Sequence, residues 1–181
     1  PDWNVGIRRA RGKFVFATNS DILFSNELIQ FLASKKLNEK MFYRANRFDV
    51  DRGVAKYHLF KEVMDFSRNH ILASYRRDNT SHHGLSNHPN LHINAGDFIL
   101  FSKKDWENLH GWPELNNIGL YSDGLICYMA YASGLEEKVL PDEMCVYHID
   151  HDSRWTKLVK PKNSFIYFLK NKFYLESNNI F

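Results

Sequence analysis

The chain predicts an α/β fold in which a mostly parallel central sheet is flanked by helices, and three observations carry that expectation. Short strand-like runs alternate with helix-like segments along most of the length, the pattern of a sheet whose strands are joined by helices. The runs Phe14-Val15-Phe16 and Phe98-Ile99-Leu100-Phe101 are continuously apolar rather than alternating, as strands covered on both faces are. Polar residues follow the first run directly, Asn19-Ser20-Asp21, where open α/β sheets place their ligands. The same three residues are also ordinary turn formers.

With 181 residues the chain is long enough for one domain with a substantial core. Its net charge of +3 is too small to point to nucleic acid, although a mildly basic surface suits a phosphate-bearing substrate. The two cysteines, Cys127 and Cys145, form no C-x-x-C and no disulfide framework, so buried free thiols and a reducing compartment are expected. There is no apolar run of about 18 residues and no leader pattern at Pro1, so a cytoplasmic location without a membrane span is expected.

Taken in order, Asn4 to Arg11 reads as a short basic helix stopped at Gly12, and the Lys13–Phe24 stretch follows as a buried strand ending in the polar turn. Ser25 is placed to cap a helix with Leu28, Ile29, Phe31 and Leu32 on its apolar face. Lys40 to Val50 reads as a strand running into a loop, and Tyr57 to His70 as a helix. Residues 74–92 are polar and carry His82, His83, His88 and His92. A loop of that length is functional or disordered, and the histidine spacing fits no common tetrahedral metal site. Ile93 to Phe101 reads as a second apolar strand. Ser102-Lys103-Lys104-Asp105 then forms a capping box for a helix through Trp106 and Leu109 that stops at Gly111. Ser122 caps the next helix, with Leu125, Ile126, Met129 and Ala130 on one face and Gly134 at its end. Val139 to Tyr147 is a strand interrupted by Pro141, delivering His148-Ile149-Asp150-His151-Asp152. Residues 163–175 read as a carboxyl-terminal helix with Phe165, Phe168, Leu169 and Phe173 at helical spacing.

Five segments in this order carry a resemblance. Asn4-Val5-Gly6 with Ala10-Arg11-Gly12 follows an N-x-G-x-x-x-A-x-G pattern, and Asn19-Ser20-Asp21 stands at the end of the next strand as a D-x-D-like triplet. Asn94-Ala95-Gly96-Asp97 and Leu109-His110-Gly111-Trp112-Pro113-Glu114 flank the second apolar strand. Ser122-Asp123 opens a helix that ends at Gly134, and Tyr147-His148 closes the series. From residue 4 to about 155 the chain resembles the family 2 glycosyltransferases of the GT-A fold. It departs from their pattern at Asn19 and Ser122, where the family carries acidic residues. The resemblance implies a GT-A-like, Rossmann-like sheet that lacks the family's amino-terminal nucleotide-binding strands, with residues 1–181 forming part of a single catalytic domain of a longer parent protein.

It also implies a chemistry. Transfer of a sugar from a nucleotide-diphosphate donor to a carbohydrate acceptor builds negative charge on the leaving diphosphate, which Mn²⁺ or Mg²⁺ neutralises. Asp21 would bind that ion, with His148 or, in its place, His151 completing its ligands, and Asn19 would face the donor. Asp123 would act as the base of an inverting reaction, and its first-turn position is expected to keep it ionised, although an acidic residue there also serves helix stability alone. Arg8 and Arg11, with Arg9 between them, could reach phosphate oxygens. Gly96, Asp97, Trp112 and Glu114 would line the acceptor side, where Trp112 could stack on a sugar or simply belong to the core. The other expectation left open is a non-catalytic module that binds a glycan or a partner protein.

Overall fold

Two sheets, not one, organise the described residues. The computed structural model describes residues 2–76, 91, 97–114 and 122–151. The first sheet takes β1 (Phe14–Ala17), β3 (Met41–Arg44), β6 (Ile99–Ser102) and β7 (Glu136–Val139) in spatial order β1-β6-β3-β7. The second takes β2 (Ile22–Phe24), β4 (Arg47–Val50), β5 (Ile71–Tyr75) and β8 (Val146–Ile149) in order β2-β8-β4-β5. Each sheet has one parallel pair, β3 with β7 and β4 with β8, and its other pairings are antiparallel. The mostly parallel, Rossmann-like GT-A sheet expected from the sequence is therefore incorrect.

The reason lies in β6. All four of its residues are buried, which makes it as apolar as a strand of a parallel sheet, yet it runs antiparallel to both neighbours. Helices cover both faces. Ile99 and Phe101 pack with Ile7, Trp106, Ile126 and Ala130 from α1 (Asp2–Arg9), α4 (Lys103–Asn108) and α5 (Ser122–Ala132). Phe98 and Leu100 pack on the opposite side with Leu28 of α2 (Asn26–Ala33). In β6 the continuous apolar run reports two-sided cover and says nothing of strand direction, whereas β1, expected to be buried as well, is an edge strand with Phe16 44% exposed.

The expected strands also break midway. Lys13–Phe24 divides into β1 and β2, Lys40–Val50 into β3 and β4, and the segment around Pro141 into β7 and β8. Each starts in the first sheet and finishes in the second, so the chain crosses between sheets at Thr18–Asp21, Ala45–Asn46 and Leu140–Cys145. The crossings are tied together: Val146 N donates to Asn46 O (3.0 Å), Leu140 N to Arg44 O (2.8 Å), and Asn46 Nδ2 to Asp142 Oδ1 (2.7 Å). A third core of Phe48, Val50, Val54, Met64 and Tyr147 backs the second sheet against α3 (Phe60–Asn69).

Local expectations fare better. Ser25 Oγ accepts from Leu28 N, and Ser102 Oγ accepts from Asp105 N while donating to Asp105 Oδ2, so both caps form where expected. Gly134 ends α5 at φ +88°, a left-handed position suited to glycine. The first helix begins two residues before Asn4 and ends at Arg9, and α3 is preceded by a 3₁₀ turn over Arg52–Lys56. Strand β5 has no counterpart in the sequence reading, which gave its last two residues to a loop. The histidines at 82, 83, 88 and 92, and the helix expected at 163–175, lie outside the described residues. No helix among the described residues is long and apolar enough to cross a membrane.

Candidate metal centre

The crossing from β1 to β2 places Asp21 against the end of β8. Ile149 N donates to the Asp21 carbonyl at 3.0 Å, and the register sets Ile22 opposite His148. His148 is buried, Asp21 half-buried, and His151 exposed at the rim. One ligand atom from each lies within 4.8 Å of the others. Asp21 Oδ2 is 3.4 Å from His148 Nε2 and 2.8 Å from His151 Nε2. The other oxygen, Oδ1, is buried without a hydrogen-bond partner, an expensive arrangement for a carboxylate.

The three side chains could hold a divalent cation, and the donor set bears on which one. One carboxylate with two imidazoles suits Mn²⁺ and other ions that accept nitrogen, whereas Mg²⁺ favours all-oxygen surroundings. The residues present fit Mn²⁺ and fit Mg²⁺ poorly.

Behind His148 stands a polar chain running back towards the first sheet. His148 Nδ1 lies 3.0 Å from Asp49 Oδ1 and 3.0 Å from Arg47 Nη2. Arg47 Nε donates to Asp49 Oδ1 (2.6 Å), its Nη1 donates to Asp97 Oδ2 (2.9 Å), and its guanidinium lies 4.7 Å from the centre of the Tyr75 ring. Asn19 Nδ2 closes the chain by donating to Asp97 Oδ1 at 2.8 Å. The Asp49 hydrogen bond raises the His148 pKa, against opposition from burial and the Arg47 charge. Burial would push the Asp49 carboxyl up, but its bonds to His148 and Arg47 prevail and hold it below its ordinary value. Burial likewise works against the Arg47 charge, and Asp49 and Asp97 more than compensate. With its folded pKa raised, His148 adds stability below its unfolded-state pKa and loses it as pH rises through the folded value. Cation binding runs the other way, because it needs a deprotonated ring nitrogen.

The sequence reading gave Arg47 and Asp49 no role. The available signal was Arg-x-Asp within a strand, which sends both side chains to one face, with Phe48 between them turned into the core.

Asn19 meets a partner 78 positions away that suits its amide. Its amide donates to the buried carboxylate of Asp97, so an aspartate at position 19 would set two carboxylates against each other. Asn19→Asp is expected to destabilise the fold by about 2 kcal/mol through loss of a hydrogen bond to a charged group, measured as a lower urea midpoint at pH 7. A midpoint at or above that of the parent would show that Asp97 does not dictate an amide there.

The remaining expected residues are dispersed. Asp123 lies in the first turn of α5, and burial, with a smaller push from the Asp97 charge, raises its carboxyl pKa against the opposing pull of Arg44. Burial thus works against the helix amino end, which is expected to favour the charged form. Arg8 and Arg11 are exposed, Arg8 Nε donates to the Asn4 carbonyl (3.2 Å), and neither touches the Asp21 cluster among the described contacts. Trp112 and Glu114 gather around Asn4 instead. The Asn4 amide donates to Trp112 O (2.9 Å) and Glu114 Oε1 (2.6 Å), and Asn4 Oδ1 accepts from Trp112 N (2.6 Å). The Trp112 ring stacks on Trp3 and Trp106, with centroids 5.1 and 6.3 Å away, so its core role is the one observed. Gly111, at φ +85°, permits this turn, since a Cβ there would come within 2.2 Å of Asn4 Oδ1. Asp97 does join the site, through Arg47 and Asn19, whereas Gly96 lies outside the described residues.

Compared with models of known protein families and with curated proteins, the chain matches none.

Proposed function

We propose that this protein is a metal-dependent glycosyltransferase that moves a sugar from a nucleotide-diphosphate donor to a hydroxyl acceptor with inversion at the anomeric carbon. The observation that carries the reading is Asp21, a carboxylate with one buried oxygen unpartnered and the other shared between two histidines. It stands at the position where the resemblance to family 2 glycosyltransferases calls for a metal ligand. When bound, the cation neutralises charge on the departing diphosphate. Asp21, His148 and His151 would hold it, and Asn19, fixed to Asp97, adds no second negative charge beside Asp21. Arg8 and Arg11 are free of the cluster and exposed, available to donor phosphate oxygens.

Asp123 takes the proton of the acceptor hydroxyl as the acceptor oxygen bonds to the anomeric carbon and the bond to the diphosphate oxygen breaks. A carboxylate whose pKa is raised by burial is a stronger base than one in water. Asp123→Asn is expected to lower transfer by at least about 100-fold while Mn²⁺ still binds and the melting temperature stays near that of the parent. Transfer at the parental rate in this variant would remove Asp123 as the base.

One support for the competing reading, a non-catalytic glycan- or partner-binding module, is the broken acidic triplet. The Asn19–Asp97 bond supplies a structural reason for that departure. Calorimetry with Mn²⁺ and a panel of nucleotide sugars separates the two: an enzyme binds a nucleotide sugar more tightly when Mn²⁺ is present, whereas a module of the other kind shows no metal-dependent nucleotide binding.

A further inference from the structure

We propose that Asp49, clamped by Arg47, is the positioning residue of the metal centre, accepting the Nδ1 proton of His148 and leaving Nε2 as the nitrogen that faces the ion. The proposal rests on the metal reading of Asp21, His148 and His151, and extends it to residues outside that set.

The argument starts from a conflict at one atom. His148 Nδ1 has two neighbours, each at 3.0 Å, of opposite kind: Arg47 Nη2, which only donates, and Asp49 Oδ1, which only accepts. A ring nitrogen satisfies one of them at a time. The far side of the ring is not ambiguous, because Nε2 faces Asp21 Oδ2 and the His151 ring. A cation shared with Asp21 needs the Nε2 lone pair. A neutral imidazole that offers Nε2 carries its proton on Nδ1, and Asp49 is the acceptor that meets it. In the other tautomer Nδ1 accepts from Arg47, and the proton sits on Nε2 where the ion would go.

The fold holds Asp49 to this task. Parallel pairing of β4 and β8 sets Asp49 directly opposite His148, so the backbone fixes the pair. Both residues are buried, and water is a poor competitor for the contact. Arg47, two residues before Asp49 on the same face, donates Nε to the same Asp49 oxygen. It cannot swing aside, being tied through Nη1 to Asp97 and packed over Tyr75. Carboxylates that accept the second N–H of a ligating histidine tune metal sites in general.

The test uses the full chain, Mn²⁺ alone as the calorimetric probe, and Asp49→Ala and Asp49→Asn as variants. Asp49→Ala is expected to weaken Mn²⁺ binding by about 10- to 100-fold. Asp49→Asn, which keeps an acceptor oxygen without the charge, is expected to lose less. Long-range ¹H–¹⁵N spectra of histidine-labelled protein loaded with diamagnetic Zn²⁺ should show His148 as the Nδ1–H tautomer in the parent and in Asp49→Asn, and as a mixture in Asp49→Ala. A purely structural Asp49 would shift the unfolding midpoint and leave affinity and tautomer alone. Parental Mn²⁺ affinity in both variants overturns the positioning role while the metal site stands. No Mn²⁺ binding by the parent overturns both. If the alanine variant does not fold, parental affinity in Asp49→Asn alone overturns the proposal.

Discussion

Replacing Asp21 with alanine is expected to weaken Mn²⁺ binding by more than about 100-fold and to leave the metal-free protein folded. Asp21 supplies the only carboxylate of the three-residue cluster, and its two oxygens face different surroundings. Oδ1 is buried and unpartnered, so the metal-free protein loses no hydrogen bond there when the side chain is removed. Oδ2 meets His148 and His151 at a half-open rim, where ion pairs contribute little. The loss should appear only when metal is added. At a free Mn²⁺ concentration 100 times Kd, ligand binding stabilises the parent by about 2.7 kcal/mol, and the variant should gain almost nothing. Thermal melts of both proteins with and without Mn²⁺ read this difference directly. An equal Mn²⁺-induced rise in the two would remove Asp21 from the ligand set.

Arg47→Ala should act in the opposite way, through the fold and in the absence of any metal. The guanidinium bonds two carboxylates, Asp49 and Asp97, and the Asp97 side chain is only 3% exposed. Among the described residues, removing the cation leaves Asp97 with the Asn19 amide and Asp49 with His148 and Tyr75. Breaking a buried pair from one side costs about 3–5 kcal/mol, which chemical denaturation should show as a large drop in midpoint. Arg47→Lys is not expected to restore it, because one ammonium group cannot reproduce a fork that reaches Asp49 and Asp97 together. A midpoint unchanged by Arg47→Ala would mean that the two carboxylates find other partners and that the polar chain is dispensable to folding.

Much of the candidate site was legible in the sequence because it rests on local chemistry. Asp21 could be singled out as a polar residue at the end of an apolar run, and Ser25 and Ser102 as caps, since each signal lies within a few residues, whereas His148 came from the resemblance. What joins them is non-local. Arg47 meets Asp97 across 50 positions and Asn19 meets Asp97 across 78, and no spacing rule connects residues so far apart. The placement of Trp112 had the same difficulty: a tryptophan beside a glycine turn reads equally as a sugar platform or as core, and only the partner rings of Trp3 and Trp106 decide it. Sheet architecture was illegible for a different reason. The apolar runs at 14–16 and 98–101 suggest strands covered on both faces, yet β6, so covered, is antiparallel, and Phe16 of edge strand β1 is exposed. Splitting β3 from β4 takes only Ala45 and Asn46, too short a break to register as a loop.

The central claim is that Asp21, His148 and His151 together bind one divalent ion. Pulsed electron paramagnetic resonance of the full chain with one equivalent of Mn²⁺ tests it most directly, because nitrogen couplings count the coordinated imidazoles. The account predicts a bound Mn²⁺ coupled to two imidazole nitrogens, with one coupling lost in His148→Ala and one in His151→Ala. A spectrum of free aqueous Mn²⁺, or of bound Mn²⁺ without nitrogen coupling, would contradict it.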